Sequence, residues 1–223
     1  MKHFSTLSAI FVAVLIISNT VAVKLFEVGP FIFSGANFIF PISYIFGDIL
    51  VEVYGYARSR KVIWTAFFIL IAMSFIYWIV GLLPSAPGWE NQEAYMQILG
   101  LVPRITIASI IAFWAGEFSN SFVLAKMKIL TKGKHLWTRT IGSTIVGQSV
   151  DTLLFTVIAF YGLIPGSTLL ILGLSGYGLK VGYEAIATPI TYRIVSFLKK
   201  SEGIDVYDTK TKFNPFAFSF KEK

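Results

Sequence analysis

The sequence predicts an all-α, polytopic membrane protein of six transmembrane helices with both termini cytoplasmic, and three observations carry that reading. The 223 residues are 55% hydrophobic and only 14% charged, with a mean hydropathy of +0.71. A soluble domain averages about 45–50% apolar and about 25% charged residues. The apolar residues fall into six long, nearly charge-free runs, each near the roughly 20 residues that cross about 30 Å of hydrocarbon. Lys and Arg gather in alternate loops, the asymmetry that orients a membrane protein.

The first run, 4–23, follows Met1-Lys2-His3 and is uncharged throughout. It is too long for the apolar region of a signal peptide and has no clear small-x-small cleavage site, so it reads as span one. Span two covers 31–55 and contains Pro41; spans three, four and five cover 61–83, 101–124 and 140–162. Span six, 168–198, is longer than a straight crossing needs and carries Gly173, Gly176, Gly178, Gly182 and Pro189. Two readings of it stay open: a small-residue pair, Gly178 and Gly182, that lets helices approach, or a broken helix lining a midplane cavity. Residues 1–198 thus form one transmembrane domain and 199–223 a tail, whose Phe213, Phe216, Phe218 and Phe220 suit either an interfacial segment or disorder.

An even number of spans puts both termini on one side. On that side lie Lys2, then Arg58, Arg60 and Lys61, then Lys126, Lys128, Lys132, Lys134 and Arg139, then six basic residues of the tail: 15 of the 19 in the chain. The opposite loops hold Lys24, Glu27, Glu90, Glu93 and the chargeless turn 162–167. The positive-inside rule therefore makes both termini cytoplasmic. The +7 formal charge reports topology here, not nucleic-acid binding.

Ionisable groups within spans are costly and face a bundle interior or a substrate path. At about 1.5 Å per residue, Asp151 falls at the centre of span five, Glu184 near the centre of span six, and Asp48 and Glu117 close to the same plane. Four carboxylates from four helices share one layer. Asp48 and Glu52 are four residues apart, as are Lys180 and Glu184, so each pair shares a helix face. Lys180 and Glu184 suit an internal salt bridge or a gating role; Glu52 lies near the inner boundary, within reach of water by snorkelling. Gln148, Asp151 and Thr152 share a stripe with Phe155 one turn on, and Asn120 follows Glu117 at the same depth. Arg104 and Arg193 read as interface anchors. Asn19 and Asn37 suit interhelical hydrogen bonds.

Gly173-Leu174-Ser175-Gly176 matches the serine motif of rhomboid-type intramembrane proteases. The base is missing, because the two histidines are His3 and His135, and neither follows Ser175. Phosphate-cradling, zinc-protease and His/Cys metal motifs are also missing, and the chain has no Cys. The protein reads as a non-enzyme without a cofactor or metal.

Ser18-Asn19 with Lys24, Gly47-Asp48-Ile49-Leu50-Val51-Glu52-Val53-Tyr54-Gly55 with Arg58, and Glu117-Phe118-Ser119-Asn120-Ser121 form a recurring pattern. With Gly147-Gln148-Ser149-Val150-Asp151-Thr152, Ile158-Ala159-Phe160-Tyr161-Gly162 and Lys180, Glu184 and Pro189-Ile190-Thr191-Tyr192, it closely resembles the queuosine precursor transporter family, also called the vitamin uptake transporter family. The resemblance spans all six helices. It implies uptake of 7-deazaguanine bases (preQ0, preQ1 or queuine) across the bacterial cytoplasmic membrane. The residues suit that cargo: a carboxylate accepts the paired donors of a guanine-like edge, an amide such as Gln148 donates and accepts, and Tyr44, Phe46, Trp114 or Phe155 could stack on the base. The expected substrate-binding set is Asp48, Glu52, Glu117, Asn120, Gln148, Asp151, Thr152, Phe155, Lys180 and Glu184. Proton coupling, a homodimer through the Gly-rich face of span six, and inverted repeats pairing spans two and five remain open. The alternative is a substrate-binding subunit of an energy-coupling-factor-type vitamin transporter, for which Ala9 to Ala13 would supply the contact with a partner ATPase module.

Overall fold

The computed structural model describes residues 1–21, 24–28, 31–100, 103–162, 165–209, 211 and 214. The side chains of Glu27 and Arg104, part of the 162–167 turn, and Phe213, Phe216, Phe218 and Phe220 lie outside the described residues. In chain order the elements are α1 (Phe4–Val21), β1 (Leu25–Val28), β2 (Phe31–Ser34), α2 (Gly35–Tyr54), α3 (Tyr56–Gly81), α4 (Gln92–Leu99), α5 (Pro103–Leu130), α6 (Leu136–Phe160) and α7 (Gly166–Glu202). All but α4 among the helices are long and apolar enough to cross a membrane. Six spans are therefore present, as the apolar runs predict.

The span ends shift by several residues from the sequence reading, and three features go beyond it. Span two begins at Gly35 rather than at residue 31, because residues 25–34 form an antiparallel hairpin pairing Leu25 with Ser34 and Val28 with Phe31. Leu-Phe-Glu-Val and Phe-Ile-Phe-Ser, joined through only two residues, have the aromatic and β-branched content that suits a hairpin. Span three follows span two after a single residue. Gly55 holds φ 86° and ψ 162°, a conformation open essentially to glycine alone, so the predicted loop collapses into a one-residue corner. Span six is one unbroken helix. The hydroxyls of Thr188 and Thr191 donate to the carbonyls of Glu184 (2.9 Å) and Ala187 (3.3 Å) beside Pro189, the local adjustment by which membrane helices tolerate proline. Gly178 and Gly182 make no close helix contact, since a Cβ at either would meet nothing within 4 Å.

The short α4 folds under the end of α3, with the Gln92 amide donating to the Gly81 carbonyl at 2.8 Å and Tyr95 to that of Tyr77. At the opposite end of the bundle, the Glu202 carboxylate accepts the backbone N–H groups of Lys2 (2.8 Å) and His3 (2.6 Å) and the Tyr54 hydroxyl (3.0 Å). The start of α1 and the end of α7 therefore share one face, as an even span count requires.

Burial is inverted relative to a soluble protein. Large apolar side chains such as Phe68, Phe75, Trp78, Leu153 and Ile186 point outward, while Asp48, Glu117, Asn120, Gln148 and Glu184 are buried. That is the pattern expected when the surrounding solvent is hydrocarbon. Phe11, Leu15, Ile49, Val53, Ile63 and Phe118 belong to the apolar core. The most extensive helix contact joins α5 to α6. It closes to backbone distance where Gly116 meets Gly147: a Cβ on Gly116 would lie 2.7 Å from Asp151 Cβ, and one on Gly147 would lie 2.7 Å from Asn120 Cβ. These two glycines, rather than Gly178 and Gly182, supply the small-residue approach.

Candidate functional site

The Gly116–Gly147 crossing draws the polar side chains of α5 and α6 together, and α2 and α7 complete the layer. From α2 come Tyr44 and Asp48, one turn apart and both buried. From α5 come Glu117 and Asn120; the Asn120 amide donates to Asp48 Oδ1 at 2.7 Å. Gly47 lets the Glu117 carboxylate lie directly on the α2 backbone, because a Cβ there would collide with Glu117 Oε1. Gln148, Asp151 and Thr152 project from α6 and Lys180 and Glu184 from α7. Asp48 interacts electrostatically with Glu184 and Glu117, and Glu117 with Asp151 and Glu184. The four predicted carboxylates therefore form one group.

The pairing within that group corrects one sequence expectation. Lys180 does not bridge to Glu184 one turn along its own helix. Its ammonium reaches across to Asp151 Oδ2 at 2.6 Å and lies 5.1 Å from the centre of the Phe40 ring. A carboxylate on the facing helix that can meet the lysine head-on, with an aromatic face behind it, outcompetes an i,i+4 partner worth about 0.2–0.5 kcal/mol.

Glu52 stands apart. Although it shares a helix face with Asp48, its Oε1 accepts from Arg139 and Lys199, each at 2.7 Å, and it is fully buried. It neither snorkels to water nor joins the acid layer. Phe155 is half-buried on the turn after Asp151. Asn19 turns back on its own helix to the Leu15 carbonyl, and Trp114 packs against Trp64 and Phe118.

The group's unsatisfied polar atoms set it apart from an ordinary interhelical network. The Tyr44 hydroxyl, Asp48 Oδ2, Glu117 Oε2, Asn120 Oδ1, Gln148 Oε1, Thr152 Oγ1 and both oxygens of Glu184 are buried without a hydrogen-bond partner. Each such group costs about 1–3 kcal/mol when left unpaired, and natural structures hold few of them. Eight such atoms converge in this layer, while others, such as those of Ser18, Ser59 and Thr144, lie elsewhere in the bundle. Among the described residues the layer's one ion pair joins Lys180 to Asp151, and no His/Cys/Asp/Glu cluster there has the makings of a metal site. The Tyr44 hydroxyl is the contributor that residue-type reasoning missed, reading the ring only as a stacking surface. Its i,i+4 spacing to Asp48 was the available signal.

Comparison with known proteins places this arrangement. Residues 34–194 match the family described as "Putative vitamin uptake transporter". The chain is 30% identical over 186 residues to the "Probable queuosine precursor transporter" of Bacillus subtilis (strain 168), covering 83% of this chain and 81% of that protein. It is 27% identical over 124 residues to the "Queuosine precursor transporter" of Escherichia coli (strain K12), covering 56% and 53% of the two chains. A third relative, from Haemophilus influenzae, is 28% identical over 122 residues, 55% of this chain and 49% of that one. No solved structure matches the chain. The matched stretch runs from the end of β2 into α7 and contains every residue of the acid layer, so this multi-pass membrane protein belongs to the vitamin uptake transporter family and is a transporter, not an enzyme.

Proposed function

We propose that the chain imports queuosine precursors, 7-deazaguanine bases, across the bacterial cytoplasmic membrane, and that the acid layer is where the base binds. The names of its relatives support the cargo. The convergence of unpartnered buried polar atoms from α2, α5, α6 and α7 supports the site. Glu184 takes the central role. It alone among the four carboxylates has both oxygens free, so it can accept two parallel donors, the geometry of a ring N–H beside an exocyclic amine. Asn120 Oδ1, Gln148 Oε1 and the Tyr44 hydroxyl meet the remaining edge, and Thr152 lies beside them. Phe155 stacks on the base. Asp151 is occupied by Lys180 and orients α7 against α6; Glu52 is outside the contact set.

Opening this layer alternately to each face would move the base across. Asp48, Glu117 and Glu184 have no cation of their own, so a proton carried with the substrate would relieve their mutual repulsion. Under the positive-inside rule the termini and the Glu202 end of α7 would face the cytoplasm. The test is uptake of labelled 7-deazaguanines into liposomes containing the purified chain alone. Accumulation that Glu184→Gln abolishes, with guanine and riboflavin excluded, supports the reading. Binding without accumulation would favour a subunit energised by a partner ATPase. Absence of both would refute the cargo.

A further inference from the structure

A second polar cluster lies beyond the acid layer, one turn away along α2 and about two to four turns away along α5, α6 and α7, and it draws on the same four helices. Glu52 follows Asp48 on α2, Lys128 follows Glu117 on α5, Lys199 follows Glu184 on α7, and Arg139 precedes Asp151 on the oppositely running α6. All four therefore sit on the Glu202 side of the layer. Glu52 Oε1 accepts from Arg139 and Lys199 at 2.7 Å each, with Lys128 at 3.6 Å.

The chain beyond α7 turns at Gly203 (φ 65°) and clasps the cluster. Asp205 accepts from Lys128 at 2.6 Å and from Lys199 at 2.9 Å. Lys128 also donates to the Val206 carbonyl at 2.7 Å and the Glu52 carbonyl at 2.6 Å, with its ammonium 4.7 Å from the Tyr207 ring centre. Asp208 Oδ2 accepts the backbone N–H of Tyr56 at 2.9 Å. Two left-handed glycines make room for the segment: a Cβ on Gly55 would lie 2.6 Å from Val206, and one on Gly133 would strike the Tyr207 hydroxyl. Residues 203–208 thus form a strap seated in fitted notches. Asp208 and Lys128 are buried, but Asp205 and Tyr207 remain about two-fifths exposed, so the Asp205 ion pairs at the centre of the clasp are reached by water from one side. Such contacts are easily exchanged for hydration.

We propose that Glu52, Lys128, Arg139 and Lys199, clasped by the 203–208 strap, are the inner gate of the transport path, and that release of the strap opens the acid layer to the Glu202 face. The proposal rests on the transporter reading but not on the identity of the cargo. The chain has no Cys, which makes thiol accessibility a clean readout. Thr144, buried on α6 between Arg139 and Gln148, would be replaced by Cys and exposed to a membrane-impermeant thiol reagent in inside-out vesicles. Labelling should be slow in the otherwise unaltered full chain and about fivefold faster with Asp205→Asn, faster still with Asp205→Lys. A Thr156→Cys probe, beyond Asp151, labelled from the opposite side should be unchanged or slower in the same variants. Equal Thr144→Cys rates in all three backgrounds would overturn the gate, and so would a rise at both probes, which would signal general loosening. Because no substrate is added, failure here leaves the cargo assignment to its own uptake test.

Discussion

The two polar clusters of this bundle use the same chemistry to opposite ends. In the Glu52 cluster the carboxylate has three cations around it, and every cation has further partners: the Val206 carbonyl and Asp205 for Lys128, Asp205 for Lys199, the Lys134 carbonyl for Arg139. In the acid layer Lys180 pairs with Asp151 alone of the four carboxylates, and seven residues carry buried atoms without a partner. The Glu52 cluster itself leaves Glu52 Oε2 and Arg139 Nε without a hydrogen-bond partner, so the contrast is one of charge: three cations meet one buried carboxylate there, whereas Asp151 alone of the four layer carboxylates has an ion pair among the described residues. On the proposed reading the charge-matched network fixes the helices and the acid layer waits for donors.

Four predictions press on that contrast, in order of expected size. Glu184→Gln should lower substrate affinity about 100-fold, as expected when a two-point bond to a charged acceptor worth about 3 kcal/mol is lost, while leaving the thermal midpoint in detergent unchanged or raised. Binding titrations beside a melting curve check both halves. Glu52→Gln should do the reverse, lowering stability by about 3 kcal/mol, because Arg139 and Lys128 would be left as buried cations short of a counter-charge; chemical unfolding in mixed micelles reads this directly. Gly147→Ala should cost about 1–3 kcal/mol by driving its Cβ into Asn120 across the α5–α6 contact, and should weaken substrate binding as well, since Asn120 would shift off Asp48.

The smallest effect concerns Asp205. Burial alone would raise its carboxyl, but hydrogen bonds from Lys128 and Lys199 and their charges hold it below the ordinary aspartate value. A depressed folded-state value means that the group stabilises the fold above its unfolded value of about 3.9 and loses that contribution as pH falls through the folded value. Asp205→Asn should therefore cost under about 1 kcal/mol for this partly exposed pair, with no variation between pH 5 and 8. The cost should begin to shrink as pH falls below about 4, near the unfolded value, and should shrink in high salt.

How far the sequence reveals this division depends on what each signal measures. Span number and the shared depth of Asp48, Glu117, Asp151 and Glu184 follow from length along apolar runs, and both hold in the fold. Lateral pairing does not follow from position on one helix. Lys180 looked equally ready for Glu184 and for a partner elsewhere until the Gly116–Gly147 crossing set α6 against α7's neighbours, and Glu52 looked like a second Asp48 until Arg139 and Lys199 arrived from distant segments. The local pairing of Leu25–Val28 with Phe31–Ser34 likewise interrupts an apolar run that by hydropathy alone continues span two. The tail suited an interfacial segment or disorder, because nothing in its composition announces the notches at Gly55 and Gly133.

The central claim, that the unfilled layer is the recognition site, is most directly tested by calorimetric titration of a 7-deazaguanine base into the purified chain and its Glu184→Gln variant at matched folding. Saturable one-site binding in the parent, lost in the variant and absent with riboflavin, is the predicted result. Equal affinity in the two proteins would contradict the account and move recognition away from this layer.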